Sequence, residues 1–132
     1  ESPLRVIQKE KKLGKSRIDI YVEDKKDHRA FVEVKGVTLE KNGTAMFPDA
    51  PTQRGEKHVL ELAEAVSKGN MAYIIFIIQM KGTEKFMPND DMHPSFGESL
   101  RYAEKRGVRI MAYDCRISAG TIDLSGPVKV IL

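Results

Sequence analysis

The sequence predicts an α/β fold in which a central mixed β-sheet is flanked by helices, and three observations carry that prediction. Val59, Leu62, Ala63 and Val66, and again Phe96, Leu100 and Ala103, recur at the spacing that gathers side chains on one face of a helix. The run Tyr73 to Ile78 is apolar throughout and rich in β-branched residues, the pattern of a central strand covered on both faces. The stretch SRIDIYVEDKKDHRAFVEVKG, residues 16–36, alternates apolar with other residues on either side of a charged cluster, as a β-hairpin does. Helix, strand, helix, strand in that order gives parallel crossovers. With 132 residues, 41% of them hydrophobic, the chain is sized for one domain around one core.

Taken in order, LRVIQKEKKL (residues 4–13) suits a helix or a strand edge, and both assignments stay open. Gly14 to Ser16 turns the chain into the hairpin of Arg17 to Val37. Residues 38–53, TLEKNGTAMFPDAPTQ, hold an Asn-Gly pair and the prolines Pro48 and Pro51, and read as a loop. Thr52 can cap a helix running from Gln53 to Lys68, which Gly69-Asn70 ends. Pro94 opens a second helix, and Gly107 closes it before a strand from Val108 to Tyr113. The tail GTIDLSGPVKVIL reads as a last hairpin turning at Ser125-Gly126-Pro127. No repeat, low-complexity tract or linker divides residues 1–132, so a single domain is expected.

The bulk numbers exclude more than they assign. Twenty-two Lys and Arg against 19 Asp and Glu leave a net charge of +3, which tolerates a polyanionic partner without demonstrating one. Cys115 is the lone cysteine, so no internal disulfide can form, and a reducing cytoplasm is the expected location. The longest apolar run, MAYIIFIIQM, is far shorter than the roughly 20 residues of a membrane helix, so no membrane partner is expected. No leader-like segment opens the chain, and a start at Glu1 almost directly into strand-like sequence suggests a fragment or a processed product.

The chemistry concentrates in the hairpin. If its isoleucines and valines face the core, Asp19, Glu33 and Lys35 converge on the other side. A three- or five-residue loop around Lys25-Lys26-Asp27 puts Asp19 and Glu33 on one face, and a two-residue turn does not unless a bulge intervenes. Two adjoining carboxylates repel unless a cation lies between them. Asp19 and Glu33 are thus candidate ligands for Mg²⁺ or Mn²⁺, hard ions that keep open positions for water and phosphate oxygen. Lys35 beside them suits orientation of an attacking water and stabilisation of charge growing on phosphate. The bland alternative is an ordinary Glu33–Lys35 ion pair with Asp19 solvated at the strand edge. Glu10 is a possible accessory to the site or one more charge in QKEKK.

The start of the first helix adds cations. Arg54 and Lys57 oppose the helix macrodipole, which makes them poor for helix stability and good for a phosphate, with Gly55 allowing close approach to the N-terminal amides. His58 stands beside them as a candidate nucleic-acid contact, metal ligand or proton carrier, or as an ordinary packing residue. Asp90, Asp91 and His93 in PNDDMHP invite a metal reading, but turn chemistry explains Asn89 and Asp90 without any ligand.

The succession SRID, VEVKGVTL, FPDAPTQRGEKHVLEL, a strand ending in IQ, then GVRIMAY resembles the sugar fermentation stimulation protein A family from about Glu10 to Tyr113. The resemblance implies a nuclease-like domain of the PD-(D/E)xK, restriction-endonuclease-like type, in which Asp19, Glu33 and Lys35 match the D, E and K positions and Ile18 stands in place of the proline. It also implies DNA as partner, and an additional N-terminal OB-fold-like domain that these residues do not include, making them the expected C-terminal portion of a longer member. The expected function is metal-dependent cleavage of DNA phosphodiester bonds. The alternatives are a non-catalytic DNA-binding module with a regulatory role in sugar metabolism, and a small-molecule or protein-interaction scaffold.

Overall fold

The computed structural model describes residues 4–14, 16–118 and 120–132. Its elements in chain order are β1 (Leu4–Leu13), β2 (Ser16–Asp24), β3 (Arg29–Val37), β4 (Leu39–Lys41), β5 (Thr44–Phe47), α1 (Gln53–Ser67), β6 (Met71–Ile78), β7 (Lys85–Pro88), α2 (Pro94–Arg106), β8 (Arg109–Ser118) and β9 (Thr121–Val130). Among these residues the strands form one sheet in the order β1-β2-β3-β6-β8-β9-β7-β5-β4. The expected crossovers are present, because β3, β6 and β8 run parallel and side by side. The hairpins β1–β2, β2–β3 and β8–β9 are antiparallel, so the sheet is mixed. No helix among the described residues is long and apolar enough to cross a membrane.

Both helices lie on one face of the sheet, not one on each. Two right-handed crossovers that step in the same direction, β3 to β6 and β6 to β8, must put their helices on the same side. The burial of β6 records this: Ala72, Ile74, Phe76 and Ile78 are buried beneath the helices, while Tyr73, Ile75 and Ile77 between them remain partly exposed. The short strands β5 and β7 fold over the same side. There Phe76 stacks on Phe86 at 4.3 Å between ring centres, and Phe47 touches both Phe76 and Phe96.

The same arrangement corrects the polarity of the hairpin. On β3 the side under α1 is Phe31, Glu33, Lys35 and Val37, whereas Val32 and Val34 point to the open face. Glu33 and Lys35 therefore lie on the core side. Apolar residues occupy both faces of this strand, so alternation alone could not reveal which face the helix covers. The loop condition is met: the Asp24 amide donates to the His28 carbonyl, leaving Lys25, Lys26 and Asp27 as a three-residue loop with Asp27 at φ 64°. Ile20 pairs with Val32 and Tyr21 with Phe31, which places Asp19 across from Glu33.

The local signals fare unevenly elsewhere. Thr52 is the N-cap of α1, its hydroxyl accepting from the Gly55 amide, and Gly107 ends α2 at φ 111°. Residues 4–13 are a strand. The expected loop at 38–53 contains the hairpin β4–β5, turning at Asn42 and Gly43, both with positive φ, and β7 went unanticipated. Ser125-Gly126-Pro127 is not a turn. Gly126 pairs with Asp114 and Leu124 with Cys115, so Ser125 is a bulge within β9. Of the turn expected at Gly14 to Ser16, Lys15 lies outside the described residues.

Truncating the fully buried Phe76 to alanine is expected to cost about 3–5 kcal/mol of unfolding free energy in urea titrations. Val34→Thr on the open face should cost less than about 1 kcal/mol.

Candidate functional site

The site begins where β2 and β3 part. Their ladder ends at Ile20–Val32, and the Val34 amide, which a continued ladder would pair with Ile18, donates instead to Asp19 Oδ2 at 2.9 Å. Inward residues along β2 are Ser16, Ile18 and then Tyr21, so the alternation skips a place at Asp19–Ile20. Opposite this irregularity on β1, Glu10 is missing from the pairing register and has φ 56°. The break frees Asp19 to lean toward Glu33, and its amide donates to Glu33 Oε1 at 3.3 Å.

Glu33 is 2% exposed, under α1. Its Oε2 accepts from Lys35 Nζ at 2.7 Å and from His58 Nδ1 at 2.5 Å. A carboxylate can only accept, so the proton between His58 and Glu33 is assigned to Nδ1. Burial is the largest influence on the Glu33 carboxyl and pushes its pKa up, but Lys35 and then His58 together outweigh it, and the net shift is downward. Asp19 shifts the other way. Removal from water is the largest influence and raises its pKa; the Val34 amide and then Lys35 pull it down, the neighbouring Glu33 pushes it up, and the net shift is upward.

Around this core lies an open cleft of ≈ 390 Å³ lined by Ser16, Arg17, Gln53, Arg54, Lys57 and His58. Arg54 and Lys57 are exposed on its rim, as the sequence suggested. Arg17, from the strand that carries Asp19, joins them, and none of the three has a carboxylate partner among the described residues. Sequence reading passed over Arg17, although its place two residues before Asp19 was a signal.

Four of the sequence readings take on more detail. His58 is 4% exposed and engages Glu33, so it stands in the wall of the cleft with its Nδ1 turned to the carboxylate. Gly55 is buried, and an added Cβ would stand 2.9 Å from Thr52 Oγ1; its smallness serves packing of the helix start. Glu10 is exposed and has no described contact with either carboxylate. Asp90, offered with Asp91 and His93 as a metal cluster, pairs with Arg101 at 2.5 Å, and His93 bonds to Glu56.

The two acids should leave opposite signatures on stability. Ionised Asp19 costs stability as pH rises through the Asp range, so Asp19→Asn is expected to raise Tm at pH 7 in chelator, the gain vanishing below about pH 3.9. Glu33 contributes stability above its unfolded pKa of about 4.3 that is lost as pH falls through its lower folded value. Glu33→Gln should therefore cost about 1–3 kcal/mol at pH 7 and progressively less in acid, read by thermal and urea denaturation.

Comparison with known proteins agrees with this picture at the level of family. The family described as "Sugar fermentation stimulation protein RE domain" matches residues 2–121. The sugar fermentation stimulation protein homolog of Clostridium perfringens (strain SM101 / Type A) is 51% identical over 126 residues, which cover 96% of this chain and 55% of that protein. The homolog of Clostridium botulinum (strain Loch Maree / Type A3) is 49% identical over 124 residues, 94% of this chain and 54% of that protein. The structure of Pyrococcus furiosus SfsA in complex with Ca²⁺ superposes with a TM-score of 0.90 at 34% identity, covering 98% of this chain and 56% of that one. The chain spans about half the length of the curated relatives it matches. A family match across nearly the whole chain, with relatives half identical to it, means that the chain belongs to the sugar fermentation stimulation protein family.

Proposed function

We propose that the chain is a metal-dependent nuclease domain of the PD-(D/E)xK type that cleaves DNA phosphodiester bonds in the cytoplasm. The observation that carries this reading is the convergence of Asp19, Glu33 and Lys35 in one notch, with Lys35 Nζ 2.7 Å from Glu33 and the Asp19 carboxyl beside it. The donor set fits a hard divalent ion. Asp19 Oδ1 and Glu33 Oε1 are the carboxylate oxygens least engaged by the protein, and no group of three His, Cys, Asp or Glu side chains placed to hold a metal occurs among the described residues. Two carboxylates with the remaining positions left to water are how Mg²⁺ or Mn²⁺ is commonly held. The related Pyrococcus furiosus protein is described in complex with Ca²⁺, an ion of the same hard, oxygen-seeking class. An ion held by Asp19 and Glu33 supplies positive charge and a more acidic water.

The chain's own residues do the rest. Lys35 presents its ammonium beside the acids, where negative charge grows on a phosphate under attack. Arg17, Arg54 and Lys57 hold the flanking phosphates from the cleft rim. His58 keeps Glu33 in place by occupying Oε2, which turns Oε1 toward Asp19.

One feature favours a second reading, a non-catalytic DNA-binding module. Lys35 and His58 already balance the Glu33 charge without any metal. That reading expects salt-sensitive binding indifferent to Mg²⁺ and EDTA, and no strand breaks.

Incubating supercoiled plasmid and single-stranded DNA with the chain in Mg²⁺, Mn²⁺ or EDTA decides between them. Nicks are expected with either metal and none in EDTA, and Lys35→Ala should lower the rate by about a hundredfold or more while keeping its circular dichroism and the rise in Tm on adding metal. Equal nicking by mutant and wild type rejects the role of Lys35; an intact plasmid under every metal rejects the nuclease. Each of Arg17→Ala, Arg54→Ala and Lys57→Ala is expected to reduce the slope of log affinity against log salt by about 1.

A further inference from the structure

His93 and Glu56 stand outside the cleft, yet they join the N-terminus of α1 to that of α2. His93 is the N-cap of α2 but makes no side-chain capping bond to its own helix, whose first residue, Pro94, has no amide proton to offer. The imidazole turns to the other helix instead. Its Nδ1 accepts from the backbone amide of Thr52, the N-cap of α1, at 3.0 Å. An amide can only donate, so Nδ1 carries the lone pair and the ring proton lies on Nε2, which donates to Glu56 Oε1 at 3.0 Å. Ser95 Oγ donates to the same oxygen at 2.9 Å, and Phe96 packs against Gly55 one residue earlier. His93 is 9% exposed, so these bonds form away from bulk water.

The consequence follows from helical phase. Glu56, Lys57 and His58 are consecutive in the first turns of α1 and project about 100° apart. Glu56 is held toward α2, Lys57 lines the cleft, and His58 reaches Glu33. Fixing the first of these directions fixes the other two.

We infer that His93 and Glu56 are positioning residues: the His93 ring clamps the start of α1 so that His58 meets Glu33 and Lys57 faces the cleft. The bearing of this on chemistry rests on the nuclease reading above, but the clamp itself needs neither metal nor DNA to be tested. Isotope-labelled chain without added metal or DNA is the sample, observed by NMR. In wild type the amides of Thr52, Gly55 and Glu56 should be protected, and the His58 Nδ1 proton visible through its bond to Glu33. His93→Leu and Glu56→Ala should each speed exchange of those three amides about tenfold, the scale of losing one net hydrogen bond, and shift or broaden the His58 signal, while β6 amides keep their protection. His93→Asn, whose side-chain oxygen stands in for Nδ1 as the acceptor of the Thr52 amide, should restore protection. The inference is overturned by an unchanged His58 signal in both disruptive variants, by equal loss of protection throughout β6, or by an asparagine no better than leucine. Absence of DNA cleavage by wild type would reject the nuclease and leave the clamp standing.

Discussion

A carboxylate placed between a sheet and the helix that covers it is the constraint around which this structure is arranged. Removing the Glu33 charge from water costs several kcal/mol unless partners meet it at close range. Lys35 supplies one from the same strand face two residues on, an arrangement that needs only a strand. His58 supplies the other and must come from α1, so the helix has to cross β3 at one height and one rotation. The Thr52 cap, the close packing at Gly55 and the bonds from His93 to the helix start hold it there.

The charges beyond that centre are arranged on a different principle. At the notch both acids have partners: exposed Asp19 takes the Val34 amide and buried Glu33 takes Lys35 and His58. On the rim, Arg17, Arg54 and Lys57 converge on one cleft without carboxylate partners among the described residues. Two of them sit at a helix N-terminus, where the macrodipole disfavours positive charge. Their placement costs some helix stability and concentrates positive charge at that surface. A neutralised notch beside an unneutralised rim is the arrangement on which the proposed phosphate binding and chemistry rest.

How much of this could be read beforehand depends on the range of the signal. The helix boundaries follow from Thr52, Pro94 and Gly107, whose capping chemistry acts within a few residues. Asp19 and Glu33 could be placed face to face by counting the loop between them, since strand pairing has a period of two. Strands of three and four residues at 39–41 and 44–47 are too short for periodicity to register, and the flanking prolines argued for a loop. Ser125 with its following Gly-Pro looked like a turn because the same residues serve turns and bulges, and only the partner strand decides between them.

The sequence by itself determined the alternation of strand and helix, the identity of the three groups in the notch and the basic start of α1, because these depend on residues near one another in the chain. Tertiary structure decided that both helices share one face, that Glu33 lies beneath α1 with Asp19 at its edge, and that His58 points inward while Arg17 joins the rim. Those outcomes turn on which side of a doubly apolar strand a distant helix covers and at what rotation it lands. That choice is made by crossover handedness and by contacts between residues tens of positions apart, such as Glu33 with His58 and Thr52 with His93.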